Sequence, residues 1–139
     1  MQLDRGFYEK CILEFKDDIK EIFGENIIEI SEEINLESRG CFELIFYFKP
    51  LKYKIIIENE IRTFDITIED EENASNSLYR IEHFENVLGK KNIFTSIILL
   101  KNVLEENNFN FYFHKENKLY RKNKNGVRRV KDLRELING

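Results

Sequence analysis

Apolar positions at the start of the chain recur at helical spacing. Phe7, Cys11, Phe15 and Ile19 are four apart, with Tyr8, Ile12, Ile22 and Phe23 beside them. This predicts one amphipathic helix, capped by Asp4 and stopped by Gly24, with Glu9, Lys10, Lys16, Asp17, Lys20 and Glu21 on its wet face. The period then falls to two. Residues 26–30 form a short strand candidate. From Cys41 to Phe48, Phe42, Leu44, Phe46 and Phe48 point one way and Glu43, Ile45 and Tyr47 the other, until Pro50 ends the run. In 52–58, Tyr53, Ile55 and Ile57 share a face, and Glu58-Asn59-Glu60 reads as a turn. In 61–69, Phe64, Ile66 and Ile68 alternate with Thr63, Asp65 and Thr67. The aromatic stripe reads as a core face packed on the first helix.

Helical spacing returns after an acidic loop over 69–76. Ser77 can cap a second helix, with Leu78, Ile81, Phe84 or Glu85, and Leu88 tracing a helical line to Gly89. Asn92 can cap a third, in which Ile93, Ile97, Leu100 and Leu104 are widened by Phe94, Ile98 and Leu99. So apolar a helix is expected to be central and nearly surrounded, and both cysteines, Cys11 and Cys41, to be buried. The tail reads as strand at 109–113, a turn at 114–118, and strands at 119–122 and 127–130 around an Asn125-Gly126 hairpin turn. Asp132-Leu-Arg-Glu135 is a capping-box-like start for a short helix to Ile137. The predicted order is α-β-β-β-β-α-α-β-β-β-α. Strands joined by turns and segregated from helices define an α+β class with an antiparallel meander, expected as a single domain over residues 1–139.

Composition agrees with a folded chain. Of 139 residues, 42% are hydrophobic and 35% charged, and a chain of this length buries roughly 68% of its unfolded surface without needing disulfides or a metal. Residues 1–7 lack a basic segment followed by an apolar run, and no stretch approaches the ~20 apolar residues of a membrane helix. Two cysteines thirty positions apart make no disulfide framework. These features point to a cytoplasmic protein with reduced thiols and no membrane partner.

Charge changes the picture more. The net charge is −4, but residues 1–110 hold 13 Lys/Arg against 23 Asp/Glu and residues 111–139 hold 9 against 3. Glu58, Glu60, Asp65, Glu69, Asp70, Glu71 and Glu72 form an acidic candidate surface for a basic protein partner, which would speed encounter and set specificity. Arg121, Lys122, Lys124, Arg128, Arg129 and Lys131 lie on or beside the terminal hairpin, with Tyr112, Phe113 and Tyr120 nearby. That ribbon is the alternative: a nucleic-acid-binding or regulatory module that tracks phosphates and stacks bases. If the fold brings the two charge groups together, they neutralise one another instead.

Chemistry is sparse. The glycines are isolated, and no phosphate loop, zinc spacing, HExxH or GxSxG is present. His83 and His114 stand without a patterned nucleophile or orienting carboxylate. Glu116-Asn117-Lys118 has the local Glu-x-Lys pattern of a restriction-type nuclease but falls in a turn with no Asp on the strand before it. Glu14-Phe15-Lys16 lies in a helix, where its charged groups diverge. The expectation is a non-enzymatic binding protein with no cofactor and no metal.

With its strand Cys41-Phe-Glu-Leu-Ile-Phe-Tyr-Phe48, its acidic 58–72 region and its terminal hairpin, the chain resembles the immunity proteins of bacterial polymorphic toxin and contact-dependent inhibition systems. The likeness covers the whole chain in size, charge and element order. It implies an inhibitor that binds and neutralises a cognate toxin, often a cationic nuclease. It transfers no residue roles.

Overall fold

Helix α1, Arg5–Phe23, lies across an antiparallel sheet in the computed structural model, which describes residues 5–37, 40–132 and 134. Its periodic stripe is the buried one: Tyr8, Cys11, Ile12, Phe15, Ile19 and Phe23. Gly24 stops the helix at φ +59, a left-handed backbone that other residues adopt only under strain. The expected Asp4 cap lies outside the described residues.

Eight strands follow: β1 Ile27–Asn35, β2 Cys41–Phe48, β3 Tyr53–Glu60, β4 Thr63–Glu69, β5 Ser75–Ser77, β6 Phe111–Lys115, β7 Lys118–Asn123 and β8 Gly126–Arg129. They form one sheet in sequence order, with every neighbouring pair antiparallel. The α+β class and the meander are therefore as the periodicity predicts. Phe42, Leu44, Phe46, Phe48, Ile55, Ile57, Phe64, Ile66 and Ile68 are all buried on the inner face. Phe15 of α1 meets Phe42 and Phe64 at ring-centroid distances of 6.0 and 5.1 Å, and Phe23 meets Phe48 at 5.7 Å. Each such side chain removed from water is worth about 1.5–3 kcal/mol.

Several elements differ from expectation. Strand β1 runs on to Asn35, and its register slips between Glu29 and Ser31. The bulge breaks the alternation there, and the acidic Ser31-Glu-Glu sequence hides the strand. The expected turn at 58–60 belongs to β3. The chain turns at Ile61 instead, with φ +55, and Asn59 locks the site: its Oδ1 accepts from the Phe42 amide at 2.8 Å and its Nδ2 donates to the carbonyls of Gly40 and Ile61. Within the expected acidic loop, Ser75–Ser77 forms β5.

Ser77 does cap a helix, accepting from the Arg80 amide at 3.3 Å, but α2 is one turn, Leu78–Ile81. The chain beyond is drawn alongside the β3–β4 turn, where the Phe64 amide donates to Asn86 O and the Leu88 amide to Arg62 O. That tertiary pairing overrides the helical spacing. His83 is consequently not helical; it is exposed, its ring 4.9 Å from that of Tyr79.

Helix α3, Lys90–Glu106, packs against α1 over the inner face. Its N-cap is Gly89, not Asn92, whose Nδ2 donates to Val87 O. Nor is α3 surrounded: Ile93, Ile97, Leu100 and Leu104 are buried, while Phe94 and Ile98 stand 42% and 38% exposed. Two layers suffice, and the far side of the helix faces out. Cys11 is buried as expected and its thiol pKa is pushed up to about 11 by desolvation, but Cys41 is exposed. Both are free thiols.

Strands β6–β8 form a second meander joined to the first by little pairing, since β5 and β6 share the single register pair Ser75↔Tyr112. Glu116 and Asn117, both at positive φ, turn β6 into β7. Lys124 and Asn125 form the tip of the last hairpin and Gly126, at φ +117, opens β8. The terminal helix expected over 132–137 lies almost wholly outside the described residues. Among the described residues no helix is long and apolar enough to cross a membrane.

Candidate functional site

Sheet geometry divides the acidic residues into two groups. Alternation places Glu58, Glu60, Asp65 and Glu69 on the outer face, away from the helices. Asp70, Glu71 and Glu72 lie in the β4–β5 connection and border a cleft with Lys52, Lys122 and Lys124.

On the outer face the registers align four carboxylates in one row. Glu33 stands opposite Glu43, Glu43 opposite Glu58, and Glu58 opposite Asp65. Like charges directly opposite one another destabilise a sheet. None of the four forms an ion pair among the described residues; Asp65 accepts from the Ser77 hydroxyl at 2.6 Å and from the Ile66 amide. Crowding and repulsion both register at Glu58, whose pKa is raised by desolvation first and then by Glu43 and Asp65. Beside this row the same face shows Ile28, 47% exposed, with half-buried Ile45, Tyr47 and Ile56. Ile28 faces Tyr47, and Ile45 faces Ile56, so the apolar group is contiguous across β1, β2 and β3. Glu69 has a neutralising neighbour, Lys54 at 3.7 Å, and Glu60 is exposed at the strand end. The wet-face position of Glu43 follows from the alternation in β2; Glu33 was hidden because its strand was.

The second acidic group meets the basic tail. Lys122 Nζ donates to Asp70 Oδ2 at 2.9 Å and to Glu72 Oε1 at 2.7 Å, and these bonds raise the Lys122 pKa. Asp70 Oδ1 also accepts from the amides of Glu72 and Ala74, each at 2.9 Å, which winds the acidic loop around its carboxylate. Glu71 remains exposed.

The remaining hairpin cations do not form one ribbon face. Arg121 stands opposite Arg128, whereas Arg129 stands opposite Tyr120 and Lys122 opposite Val127. Strand alternation therefore parts Arg121 and Arg128 from Lys122 and Arg129. Lys124 and Lys131 are exposed. Phe113 and Tyr120 stack on each other with centroids 5.3 Å apart and an interplanar angle of 14°.

Among the described residues no group of three or more His, Cys, Asp or Glu side chains is arranged to hold a metal ion. No protein-family model, curated protein or solved structure matches the chain.

Proposed function

We propose that this protein is an immunity-type inhibitor that binds a cationic toxin domain through the outer face of β1–β4. The supporting observation is the row Glu33, Glu43, Glu58 and Asp65 set against the apolar group of Ile28, Ile45, Tyr47 and Ile56. A fold gains nothing from a row of unneutralised carboxylates across four adjacent strands; a basic partner would relieve the repulsion on docking. The flanking apolar side chains supply area to bury, and Tyr47 is the natural anchor, since aromatic residues carry much of the energy at interface centres. The carboxylates set encounter rate and partner choice. Bacterial origin and a cytoplasmic location belong to this same reading.

The alternative, a nucleic-acid-binding module on the terminal hairpin, has less support. Lys122 is committed to Asp70 and Glu72, and the other cations point to two sides.

Co-expression with the toxin encoded beside the gene tests the reading. Growth rescue and co-purification are expected. The double variant Glu43→Lys, Glu58→Lys should remain folded while association slows at least about tenfold. Absence of binding and of rescue with every neighbouring toxin domain overturns the proposal, as does full protection by the double variant.

A further inference from the structure

The sheet ends in two open edges. Strand β1 pairs with β2 and β8 with β7, and no strand among the described residues lies beyond either. An open edge presents backbone amides and carbonyls that a further strand can use. Of the nine residues of β1 eight are exposed, as are all four of β8, so neither edge is covered by side-chain packing.

The two edges carry opposite charge. β1 holds Glu29, Glu32 and Glu33 and no cation, whereas β8 holds Arg128 and Arg129 and no anion. Pairing either edge with its own copy crowds like charges together, which destabilises a sheet. Pairing β1 with the β8 of another molecule joins opposite charges.

Register makes that second pairing specific. Glu33 stands opposite Glu43 on the outer face, and Ile34 stands opposite buried Phe42, so Glu32 and Ile34 take the inner face. At the far end, Arg128 follows Arg121, Tyr112, Ser75 and Glu69 on the outer face. Val127 follows Lys122 and buried Phe111 on the inner face, which Arg129 shares. An antiparallel β1–β8 pair between two molecules can then set Arg128 against Glu33 on the outer face. The same register sets Arg129 against Glu32 and Val127 against Ile34 on the inner face, so three consecutive pairs match in charge, hydropathy and side. Val127 and Ile34, 58% and 43% exposed, would cover each other. Glu32 already accepts from Lys16 of α1, and a carboxylate has acceptor sites for both cations. The pairing repeats the antiparallel order of every neighbouring pair within the sheet.

We propose that this protein self-associates head to tail, β1 of one molecule pairing with β8 of the next. The contact is heterologous: each added copy leaves one acidic and one basic edge open, so association runs past a dimer. A four-residue ribbon is a small interface, and its Kd is on the order of 0.1–1 mM. The inference does not rest on the inhibitor reading and is tested without a toxin.

Sedimentation velocity of the full chain at low ionic strength, from about 10 µM to about 1 mM, measures the association. The average mass should rise with concentration and fall back with added salt. Amide shifts should move with concentration in both 32–35 and 126–129. The pair Glu32→Lys, Glu33→Lys and the pair Arg128→Glu, Arg129→Glu, all at exposed positions, should each stay monomeric. Mixed one to one, the two variants should associate again with shifts in the same two strands, because each offers the complement of the other's edges. A monomer at every concentration overturns the proposal. So does association whose shifts avoid either strand, association of either variant alone, or a mixture that stays monomeric.

Discussion

The ammonium of Lys122 on β7 lies 2.9 Å from the Asp70 carboxylate in the β4–β5 connection. This bond joins the two halves of the sheet where backbone pairing is thinnest, next to the single register pair Ser75↔Tyr112. Asn76 adds a second tie, its Nδ2 donating to Asn110 O at 2.9 Å. Lys122→Met keeps the side-chain length and removes the charge. It leaves Asp70, whose side chain is 10% exposed, without its cation. The expected loss is about 1–3 kcal/mol in chemical denaturation. Hydrogen exchange should quicken in β6–β8 before it does in β2–β4.

Glu58 provides a pH signature for the carboxylate row. Its folded pKa is raised, so the native state holds that proton more tightly than the unfolded chain. Stability therefore falls as pH rises from the unfolded value through the raised folded one, and ionised Glu58 is a burden at neutral pH. Glu58→Gln should be more stable than the parent by a few tenths of a kcal/mol at pH 7, a small gain because solvent screens the exposed row. The difference should shrink toward zero as pH drops below both values, and it should also shrink with added salt. Paired denaturation curves across that range check both signs.

Much of the architecture is legible in side-chain spacing. The inward stripe of β2 to β4 and the buried line of α1 follow from periods of two and 3.6, because burial acts on them directly. Where a partner segment intervenes, the spacing misleads. Leu78, Ile81, Phe84 and Leu88 trace a helical line, yet the hydrogen bonds of Phe64 and Leu88 draw that stretch out of helix beyond Ile81. The acidic candidates are legible as residues but not as a site. Cross-strand register brings Glu33, Glu43, Glu58 and Asp65 into one row, and the path of the β4–β5 connection carries Asp70 and Glu72 to Lys122. A sequence does not display register when turns and a bulge set it.

Helix α3 is one-sided, and two substitutions read its orientation. Leu100 is fully buried, whereas Phe94 is 42% exposed. Leu100→Ala should lose about 2–5 kcal/mol through transfer and cavity terms. Phe94→Ala should lose under about 1 kcal/mol despite removing more atoms, because much of the ring already meets solvent. Equal losses by urea denaturation would contradict the placement of α3 on the inner face.

Gly40 combines two demands in one residue. Its φ is +67, a conformation unfavourable to residues with a side chain. A Cβ built there falls 2.2 Å from Tyr8 Cε2, and Tyr8 itself is buried against the core. Tyr8 is only 3% exposed, so its ring or the turn must shift within packed surroundings, and Gly40→Ala combines backbone strain with overpacking. The expected loss is about 2–4 kcal/mol, read from the midpoint of chemical denaturation. The two components separate with Tyr8. In a Tyr8→Ala background the clash is gone and only the strain remains, so the second substitution should then cost about 1 kcal/mol. A full loss in both backgrounds would assign the effect to the backbone alone.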